Sequence, residues 1–224
     1  WIFCLTRTDD SGKKQDGITF LLIPMKQAGI EVKPIITLGG AHSVNMVHLT
    51  DVKVPVENRV GEEGKAWTYA KGLLAHERTG LAGISRSLVA LEKLRKQAGS
   101  VTRGNGSLLD DPSYRLKLAE LEVELMATEF TELRSLASAA AGAEPGPESS
   151  ILKLKGTEIQ QRLQKLTVEA GGIYSAAWGA TPVGHTFAHG GMSGYLASRA
   201  YTIYGGASEV QRDVIAKNVL GLKK

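Results

Sequence analysis

Residues 204–212 have the sequence Tyr-Gly-Gly-Ala-Ser-Glu-Val-Gln-Arg and open the last helical segment of the chain. Two consecutive glycines leave backbone without side chains, so a flat or phosphorylated ligand can approach it closely. Ser208 and Gln211 fit the S-x-x-Q capping box of a helix start. The helix continues with apolar residues at helical spacing: Val210, Val214, Ile215 and Val219. The same pattern also fits a plain corner between two helices, and these residues leave both interpretations open.

A glutamate far upstream, Glu77, lies on the apolar face of another predicted helix. Residues 64–97 contain no proline and carry apolar residues at helical spacing. These residues are Trp67, Ala70, Leu74, Leu81, Ile84, Leu88 and Leu91. Glu77 fills the widest gap in this stripe, so we expect an inward-facing carboxylate whose pKa is raised by burial, as a general base requires. There are two alternatives. Glu77 forms a buried ion pair with Arg78 or Arg86, or it lies at the edge of the apolar stripe, where its carboxylate reaches solvent.

The composition indicates a globular protein and argues against several function classes. The chain has 224 residues, of which 42% are hydrophobic, enough for one or two domains with a core. The net charge is only +4, and basic and acidic residues are mixed along the chain, so the sequence shows no basic patch of the kind that binds nucleic acid. The single cysteine, Cys4, excludes an internal disulfide and favours a reducing compartment. From the His and Cys spacing and the short apolar runs we expect no structural metal, no membrane span and no signal peptide.

Residues 1–60 are predicted to form short β-strands. The apolar runs lie at residues 2–6, 18–23, 30–36 and 44–50, each bounded by glycine, proline or turn sequence. Pro55 stops further central pairing because it lacks a backbone N–H. Four short strands make a poor sheet by themselves. We therefore expect part of this sheet to be missing on the N-terminal side, and apolar surface to be exposed along residues 1–50.

From residue 64 onward the pattern is helical. The first helix is predicted over residues 64–97, and a second opens at Asp111-Pro112, an N-cap followed by proline at the first helical position. The stripe of this second helix is Leu118, Leu121, Leu125 and Leu133. A third helix runs from Pro147 to Gly171-Gly172, and a short one precedes the last. The sequence thus predicts an α+β fold, a partial antiparallel β domain followed by an up-down four-helix bundle, with heptad-like stripes that leave an apolar face for a partner subunit.

Two segments together resemble the acyl-CoA dehydrogenase family. One is residues 60–67, Val-Gly-Glu-Glu-Gly-Lys-Ala-Trp, which lead from the strands into a long helix, and the other is residues 204–212. The resemblance covers essentially the whole chain. It implies that residues 1–60 are the C-terminal part of the family's middle β domain and residues 61–224 its C-terminal helical-bundle domain. The family's N-terminal helical domain has no counterpart, so we expect either a fragment or a subunit completed by a partner.

The resemblance implies an enzyme that uses FAD to dehydrogenate an acyl-CoA thioester between its α- and β-carbons. Most members carry the catalytic glutamate directly after the tyrosine of the last corner, where this chain has Gly205. A smaller set places it on the first bundle helix in a Glu-Arg pair, which corresponds here to Glu77-Arg78. The resemblance therefore implies that Glu77 takes the α-proton while a hydride leaves the β-carbon for the flavin. Arg78, Tyr204 and Gly205 are then expected in the substrate pocket.

The resemblance also implies a set of cofactor contacts and partners. Arg103, Gly171, Gly172, Ala207 and Glu209 are the positions expected to bind FAD. Ala207 stands where the family has a threonine, which removes one hydroxyl contact. The expected partners are the acyl-CoA substrate, an electron-transfer flavoprotein as acceptor, and further subunits in a homo- or hetero-oligomer such as a tetramer. The expected location is the cytoplasm, or the mitochondrial matrix if the source is eukaryotic.

Two other functions compete with this one. A non-catalytic assembly subunit would keep the fold, pair with an active partner, and use Glu77 as a buried structural charge. A helical adaptor would instead bind proteins through its apolar stripes.

Overall fold

The computed structural model describes residues 1–143, 146–178 and 181–222, and gives the backbone alone for residues 74–79 and 81. The chain forms two compact units. The strand unit consists of residues 1–37 and 41–75, and the helical unit of residues 38–40 and 76–224. The two units divide between residues 75 and 76, within a helix that begins at Ala66. This division by compactness does not test the domain boundary expected after residue 60, which stays a prediction.

The strand unit contains two small antiparallel ladders. Its strands are β1 (Ile2–Arg7), β2 (Ile18–Ile23), β3 (Ile30–Ile36), β4 (His42–Leu49) and β5 (Arg59–Val60). β1 pairs with β2 along its whole length, and β2 pairs with β5 on its other edge. β3 and β4 form the second ladder. The four predicted strands are confirmed, whereas β5 is too short to produce a recognisable pattern.

Apolar side chains of this unit are exposed, as expected for residues 1–50. The exposed ones on the four longer strands are Phe3, Leu5, Leu22, Val32, Ile35, Ile36, Val44, Met46 and Leu49. In β1 exposure alternates residue by residue, because successive side chains of a strand point to opposite faces. One face of β1 is therefore covered and the other, which carries Phe3 and Leu5, is open.

The helical unit is a bundle centred on the helix Glu148–Gly171. The helices of the chain are α1 (Ala66–Leu81), α2 (Ile84–Gly99), α3 (Pro112–Ala140), α4 (Glu148–Gly171), α5 (Gly191–Ala197) and α6 (Ser208–Asn218). A small hairpin of β6 (Thr102–Arg103) and β7 (Gly106–Ser107) lies between α2 and α3. α4 packs against α2, α3 and α6. The predicted α+β fold, with small antiparallel sheets followed by a helical bundle, is confirmed.

The core of the bundle is built from the inward faces of α2, α3 and α4. Its largest members are Ile84, Leu91, Leu94, Leu118, Leu121, Leu125, Leu152, Ile159, Leu163 and Leu166. Tyr114 is buried among them, and its hydroxyl donates a hydrogen bond to Leu166 O at 3.0 Å. Leu133 was expected on the buried stripe of α3, but it is exposed. α3 extends beyond the part of the bundle that covers its first four turns, so its C-terminal leucines have nothing to pack against within the described residues.

The single helix predicted over residues 64–97 is wrong. α1 ends at Leu81 and α2 begins at Ile84, with Gly83 between them at φ +60°. This left-handed conformation interrupts a right-handed helix and favours glycine. The apolar stripe continues on both sides of the break, so the spacing of hydrophobic residues gave no sign of it.

One predicted helix cap is confirmed and another is wrong. The Asp111 carboxylate accepts hydrogen bonds from the backbone N–H groups of Ser113 and Tyr114 at the start of α3. The capping box expected at Ser208 and Gln211 does not form, because Ala207 is the N-cap and makes no side-chain cap bond. Ser208 and Gln211 are instead buried, and their side chains point toward carbonyl groups that precede α6.

Candidate functional site

The segment before α6 turns sharply at Gly205 and Gly206. Both have positive φ, +64° and +98°, which side-chain-bearing residues rarely adopt. A Cβ on Gly206 would also overlap the Gln211 side-chain nitrogen. We call residues 204–207 the glycine corner. Its second glycine is required by the chain's own packing, whatever else binds there.

Two buried side chains hold the carbonyl groups of the glycine corner. Lys153 of α4 is 0% exposed, and its Nζ donates a hydrogen bond to Gly206 O at 2.7 Å. Gln211 of α6 is also 0% exposed, and its Nε2 lies 3.5 Å from Gly205 O. Burial lowers the pKa of Lys153, and the negative charge of Glu209 acts in the opposite direction. The corner is thus fixed from its inner side by donors from two helices.

The orientation of these carbonyl groups also fixes the neighbouring N–H groups. In a planar trans peptide the C=O and N–H point in opposite directions. The N–H of Gly206 belongs to the peptide whose carbonyl faces Gln211, and the N–H of Ala207 to the peptide whose carbonyl faces Lys153. Both N–H groups therefore point away from the buried donors. Within the described part of the chain, neither N–H makes a hydrogen bond of ordinary geometry, although the turn over residues 203–205 directs the Gly206 N–H toward a preceding carbonyl.

Tyr204 begins the glycine corner and is 48% exposed. Its ring packs against Tyr201, with 5.7 Å between centroids. Partial burial raises the pKa of the Tyr204 hydroxyl, as does Tyr201, while the positive charge of Arg86 acts to lower it. Arg86, near the start of α2, is therefore close enough for its positive charge to act on the Tyr204 hydroxyl.

The break between α1 and α2 lies against the same helix as the glycine corner. Gln160 of α4 donates a hydrogen bond from Nε2 to Ala82 O at 3.0 Å. A Cβ on Gly156 would lie 2.6 Å from Ala82 Cα, so α4 and the break are in close backbone contact. One face of α4 carries Lys153, Gly156 and Gln160, because successive members of this set are three and four residues apart. This face contacts both the α1–α2 break at Ala82 and the glycine corner.

The side chains of Glu77 and Arg78 lie outside the described residues. Their backbone belongs to the last part of α1, and that part belongs to the helical unit. Glu77 precedes Ala82 by five residues, roughly 7–8 Å along a helix axis at 1.5 Å per residue. The backbone of Glu77 is therefore within about two turns of the face of α4 that supports the glycine corner.

The two glycines expected to contact FAD have different surroundings. Gly171 is buried, and a Cβ there would overlap Ser175 Oγ and lie 2.7 Å from Ala188 Cβ. Its lack of a side chain is thus explained by packing inside the unit. Gly172 is exposed at φ +55°, and no described atom lies within 4 Å of a Cβ placed on it. The backbone at Gly172 is the part of this pair that is open to a ligand.

The remaining expected cofactor residues are all accessible. Arg103 is exposed in the β6–β7 hairpin, and the Glu209 side chain is 82% exposed in the first turn of α6. Ala207 is half-buried and carries one of the N–H groups without an acceptor among the described residues. Open backbone at Gly172 and a free N–H donor at Ala207 fit a ligand rich in phosphate and hydroxyl oxygens, as FAD is.

Lys153 and Gln211 were not recognised as site residues from the sequence. Gln211 was assigned to a capping box, and Lys153 was given no role. A usable signal was present, since Lys153 lies three residues before Gly156 and six before Ile159, on the inward face of its helix. A lysine at such a position is buried unless it reaches past its neighbours to solvent.

The strand unit has a cavity of its own that no motif indicated. It has a volume of about 650 Å³ and its lining includes Asp9, Asp16, Glu63, Lys65 and Lys71. Both carboxylates and lysines line it, so its charge alone selects neither an anion nor a cation.

Over the described ranges, no three His, Cys, Asp or Glu side chains converge as metal ligands. Within the same residues, no helix combines the length and the apolar character that a bilayer crossing needs.

Comparisons with known proteins place the chain in one family. A family model described as acyl-CoA dehydrogenase, C-terminal domain, matches residues 64–220. The acyl-CoA dehydrogenase IpdE1 of Mycolicibacterium smegmatis is 31% identical over 229 residues, covering 100% of this chain and 54% of its own length. FadE26 of Mycobacterium tuberculosis, another acyl-CoA dehydrogenase, is also 31% identical over 229 residues, covering 100% of this chain and 57% of its own. The chain thus spans about half the length of the curated relatives that it matches.

Solved structures agree with the sequence comparison. A structure described as the Tcur3481-Tcur3483 steroid ACAD superposes with a TM-score of 0.85 at 28% identity, over 100% of this chain and 56% of that one. The ChsE4-ChsE5 complex from Mycobacterium tuberculosis superposes with a TM-score of 0.82 at 29% identity, over 100% and 57%. With the family model matching more than half of its residues, the chain belongs to the acyl-CoA dehydrogenase family, whose C-terminal domain covers residues 64–220.

Proposed function

We propose that this chain takes part in the FAD-dependent α,β-dehydrogenation of an acyl-CoA thioester. The observation that carries the proposal is the glycine corner, whose carbonyl groups are held by two buried donors, Lys153 of α4 and Gln211 of α6. Lys153 lies on the face of α4 that contacts the α1–α2 break at Ala82. Family membership supports the reaction class, and this geometry supports the place where it occurs. Because the relatives are about twice as long, the activity is proposed for the complete protein.

Glu77 is proposed as the general base. Its carboxylate takes the α-proton of the thioester, the C–H bond breaks, and the electron pair moves toward the thioester carbonyl. A carboxylate with a pKa raised by burial can act as base near neutral pH. The support is that Glu77 lies five residues before Ala82, which contacts the face of α4 that also holds the glycine corner, together with the absence of a carboxylate at position 205.

Backbone N–H groups of the glycine corner are proposed to stabilise the negative charge that develops on the thioester oxygen. Donors that are already oriented do this without reorganising during the reaction. Gly205 has no side chain, and Tyr204 and Arg78 are proposed to line the pocket. Hydrogen bonds to the thioester oxygen lower the barrier to α-proton removal because they are stronger in the enolate-like state than in the ground state.

FAD, when bound, accepts the hydride that leaves the β-carbon. The residues proposed to hold it are Arg103, Gly171, Gly172, Ala207 and Glu209. Gly172 offers open backbone, Ala207 an N–H donor, and Arg103 and Glu209 accessible charges. Gly171 contributes indirectly, by allowing the close packing at Ser175 that shapes the chain leading to Gly172.

The substrate is proposed to be a bulky acyl chain, of sterol-derived or other cyclic type. One structural relative is described as a steroid ACAD, and it covers the whole of this chain. The absence of a side chain at Gly205 fits a pocket that takes a wide acyl group. A cytoplasmic location is proposed from the bacterial sources of the relatives IpdE1 and FadE26.

Further subunits and an electron-transfer flavoprotein are the proposed protein partners. An exposed apolar row follows α3 at heptad spacing: Leu116, Val123, Met126, Phe130 and Leu133. Such a row on a helix is typical of a surface that packs on another helix. One relative is named as a subunit of a caffeyl-CoA reductase-Etf complex in Acetobacterium woodii, which supports the choice of acceptor.

A non-catalytic assembly subunit is the second candidate. It is favoured by the loss of a hydroxyl at Ala207 and by relatives described as two-protein assemblies, Tcur3481-Tcur3483 and ChsE4-ChsE5. In that case flavin would stay with the partner, and changes at Glu77 would leave the activity of the assembly unchanged.

The proposed function is tested by mixing the complete protein, loaded with FAD, with acyl-CoA thioesters in the absence of oxygen. Straight-chain, branched and steroid side-chain thioesters form the panel, and acetyl-CoA, which has no β-carbon, is the matched control. We expect the yellow absorbance to bleach and a 2-enoyl-CoA to form with at least one of the panel but not with acetyl-CoA. A flavin-loaded protein that no thioester bleaches would contradict the proposal.

A further inference from the structure

Lys153 is a charged side chain in an unusual position. It is the largest fully buried side chain of the described residues and lies on the inward face of α4. Burying an ammonium group is costly unless it is paired and hydrogen-bonded. The hydrogen bond that the structure gives it is to a carbonyl, Gly206 O, rather than to a carboxylate. Buried charged groups are often replaceable by apolar residues of similar volume without loss of stability, so stability alone does not explain a lysine at this position.

The buried ammonium group of Lys153 restrains the backbone of a pair of glycines. Gly205 and Gly206 are the most flexible backbone units available, and both lie at positive φ. Gln211 restrains the first carbonyl with a long contact of 3.5 Å, whereas Lys153 restrains the second with a short one of 2.7 Å. Charge-assisted hydrogen bonds are roughly twice as strong as neutral ones. Lys153 is therefore the stronger of the two restraints on the corner.

We propose that Lys153 is a positioning residue for α-proton abstraction: by anchoring Gly206 O it holds the glycine corner with its N–H groups turned toward the substrate. This inference rests on the proposed function. Lys153 itself contacts neither thioester nor flavin, and it acts through the peptide planes of residues 205–207. Without the anchor the corner samples other conformations, and the N–H groups lose their common direction.

The test compares Lys153→Met with Lys155→Met in the complete protein. Methionine keeps much of the volume of the lysine but removes its donor. Lys155 is the matched control because it lies two residues along the same helix, is 44% exposed and pairs with Glu124 and Glu158 on the surface. Amide hydrogen exchange across residues 204–212 reports the corner directly and requires no activity. Flavin reduction by acyl-CoA, followed as kcat and KM, reports the chemistry.

Lys153→Met is expected to speed exchange at the corner and to lower kcat by about 10- to 100-fold, the effect of a misplacement of about 1 Å, with KM nearly unchanged. Lys155→Met is expected to change neither. Should Lys153→Met not fold, Lys153→Gln, which retains a shorter donor, is expected to give an intermediate result. Unchanged exchange at residues 204–212, or unchanged kcat in a variant whose corner exchanges faster, would overturn the inference. Inactivity of the wild-type protein would instead count against the proposed function, while the exchange comparison would still decide whether Lys153 holds the corner.

Discussion

At the scale of single residues, buried polar groups set the conformation of the candidate site. Lys153 and Gln211 both occupy interior positions that an apolar side chain could fill. Each directs a donor at a carbonyl of the glycine corner, and these hydrogen bonds offset part of the cost of burial. The Oε1 atom of Gln211 is buried without a hydrogen-bond partner among the described residues. Gly206 completes the arrangement, since any side chain there would displace Gln211.

Tyr114 is a second buried polar residue, and its effect on stability depends on pH. Burial raises the pKa of Tyr114 above its ordinary value of 10.0, and the charge of Glu169 adds to this. Because the folded state keeps its proton when the unfolded state loses it, the stability contributed by Tyr114 is complete below pH 10 and falls as pH rises further.

Tyr114→Phe is therefore expected to lower the free energy of unfolding near neutral pH by about 1 kcal/mol, through loss of the hydrogen bond to Leu166 O. The difference from wild type is expected to shrink above the ordinary tyrosine pKa, where the wild type loses its own stabilisation. Urea unfolding of both proteins between pH 7 and about 11 measures this. A difference that stays constant across that range would contradict the assignment of the titration to Tyr114.

Residue-level chemistry was only partly predictable from sequence. The glycine pair at 205–206 was identifiable because glycine has few reasons to be doubled before a helix. The roles of Lys153 and Gln211 depend on which groups the fold brings beneath that pair, and these come from segments about fifty residues apart. The part played by Glu77 remains a prediction, since its position on a stripe does not show which groups its carboxylate meets.

At the scale of elements, the close approach of α4 to the α1–α2 break is the contact that organises the site. Gly156 permits this approach, since a Cβ would overlap Ala82 O. Gly83 permits the break through its positive φ. Together they allow two helix segments that share one apolar stripe to change direction where α4 crosses them.

Gly156→Ala is expected to destabilise the protein by about 2–4 kcal/mol, because backbone has to move to admit the methyl group. Gly99→Ala is the matched control: it is also a helical glycine, but a Cβ there meets only Leu109 Cδ1 at 3.4 Å. That change is expected to be neutral or stabilising by up to about 1 kcal/mol. Thermal unfolding of the two variants distinguishes them, and equal stabilities would show that the α4 contact at Ala82 is not tight.

Elements with local signals were predicted well, and those set by tertiary contact were not. The four longer strands and the Asp111-Pro112 helix start carry their signals within a few residues. The break at Ala82-Gly83 lies in a continuous apolar pattern, and a single glycine in a helix is common enough to be passed over. The start of α6 was misassigned because Ser208 and Gln211 match a capping pattern, while their burial depends on Thr202 and the corner.

At the scale of the whole molecule, the chain combines a strand unit with open apolar faces and a helical unit with a complete core. The core of the helical unit closes around α4, whereas β1 leaves one face exposed. The exposed row on α3 is the other large apolar surface. These surfaces are consistent with a protein that functions as part of a larger assembly, as proposed above.

The charge network on the bundle surface links three helices. Glu124 of α3 pairs with Lys155 and Arg162 of α4, and Glu158 of α4 pairs with Arg212 of α6. Exposed ion pairs contribute little individually, on the order of 0–1 kcal/mol, and are screened by salt. Their main consequence is that α6, which begins at the glycine corner, is held to α4 at its outer side as well as through Lys153.

The central claim is that Glu77 is the base, and the rate of flavin reduction in Glu77→Gln measures it most directly. The change removes the charge and keeps the shape, so flavin content and unfolding temperature are expected to stay at wild-type values. The rate of reduction by acyl-CoA is expected to fall by about 10²- to 10⁴-fold, the usual contribution of a general base. Glu92→Gln, a change at an exposed glutamate of α2, is the control and is expected to keep the wild-type rate. A Glu77→Gln protein that reduces its flavin at nearly the wild-type rate would contradict the claim.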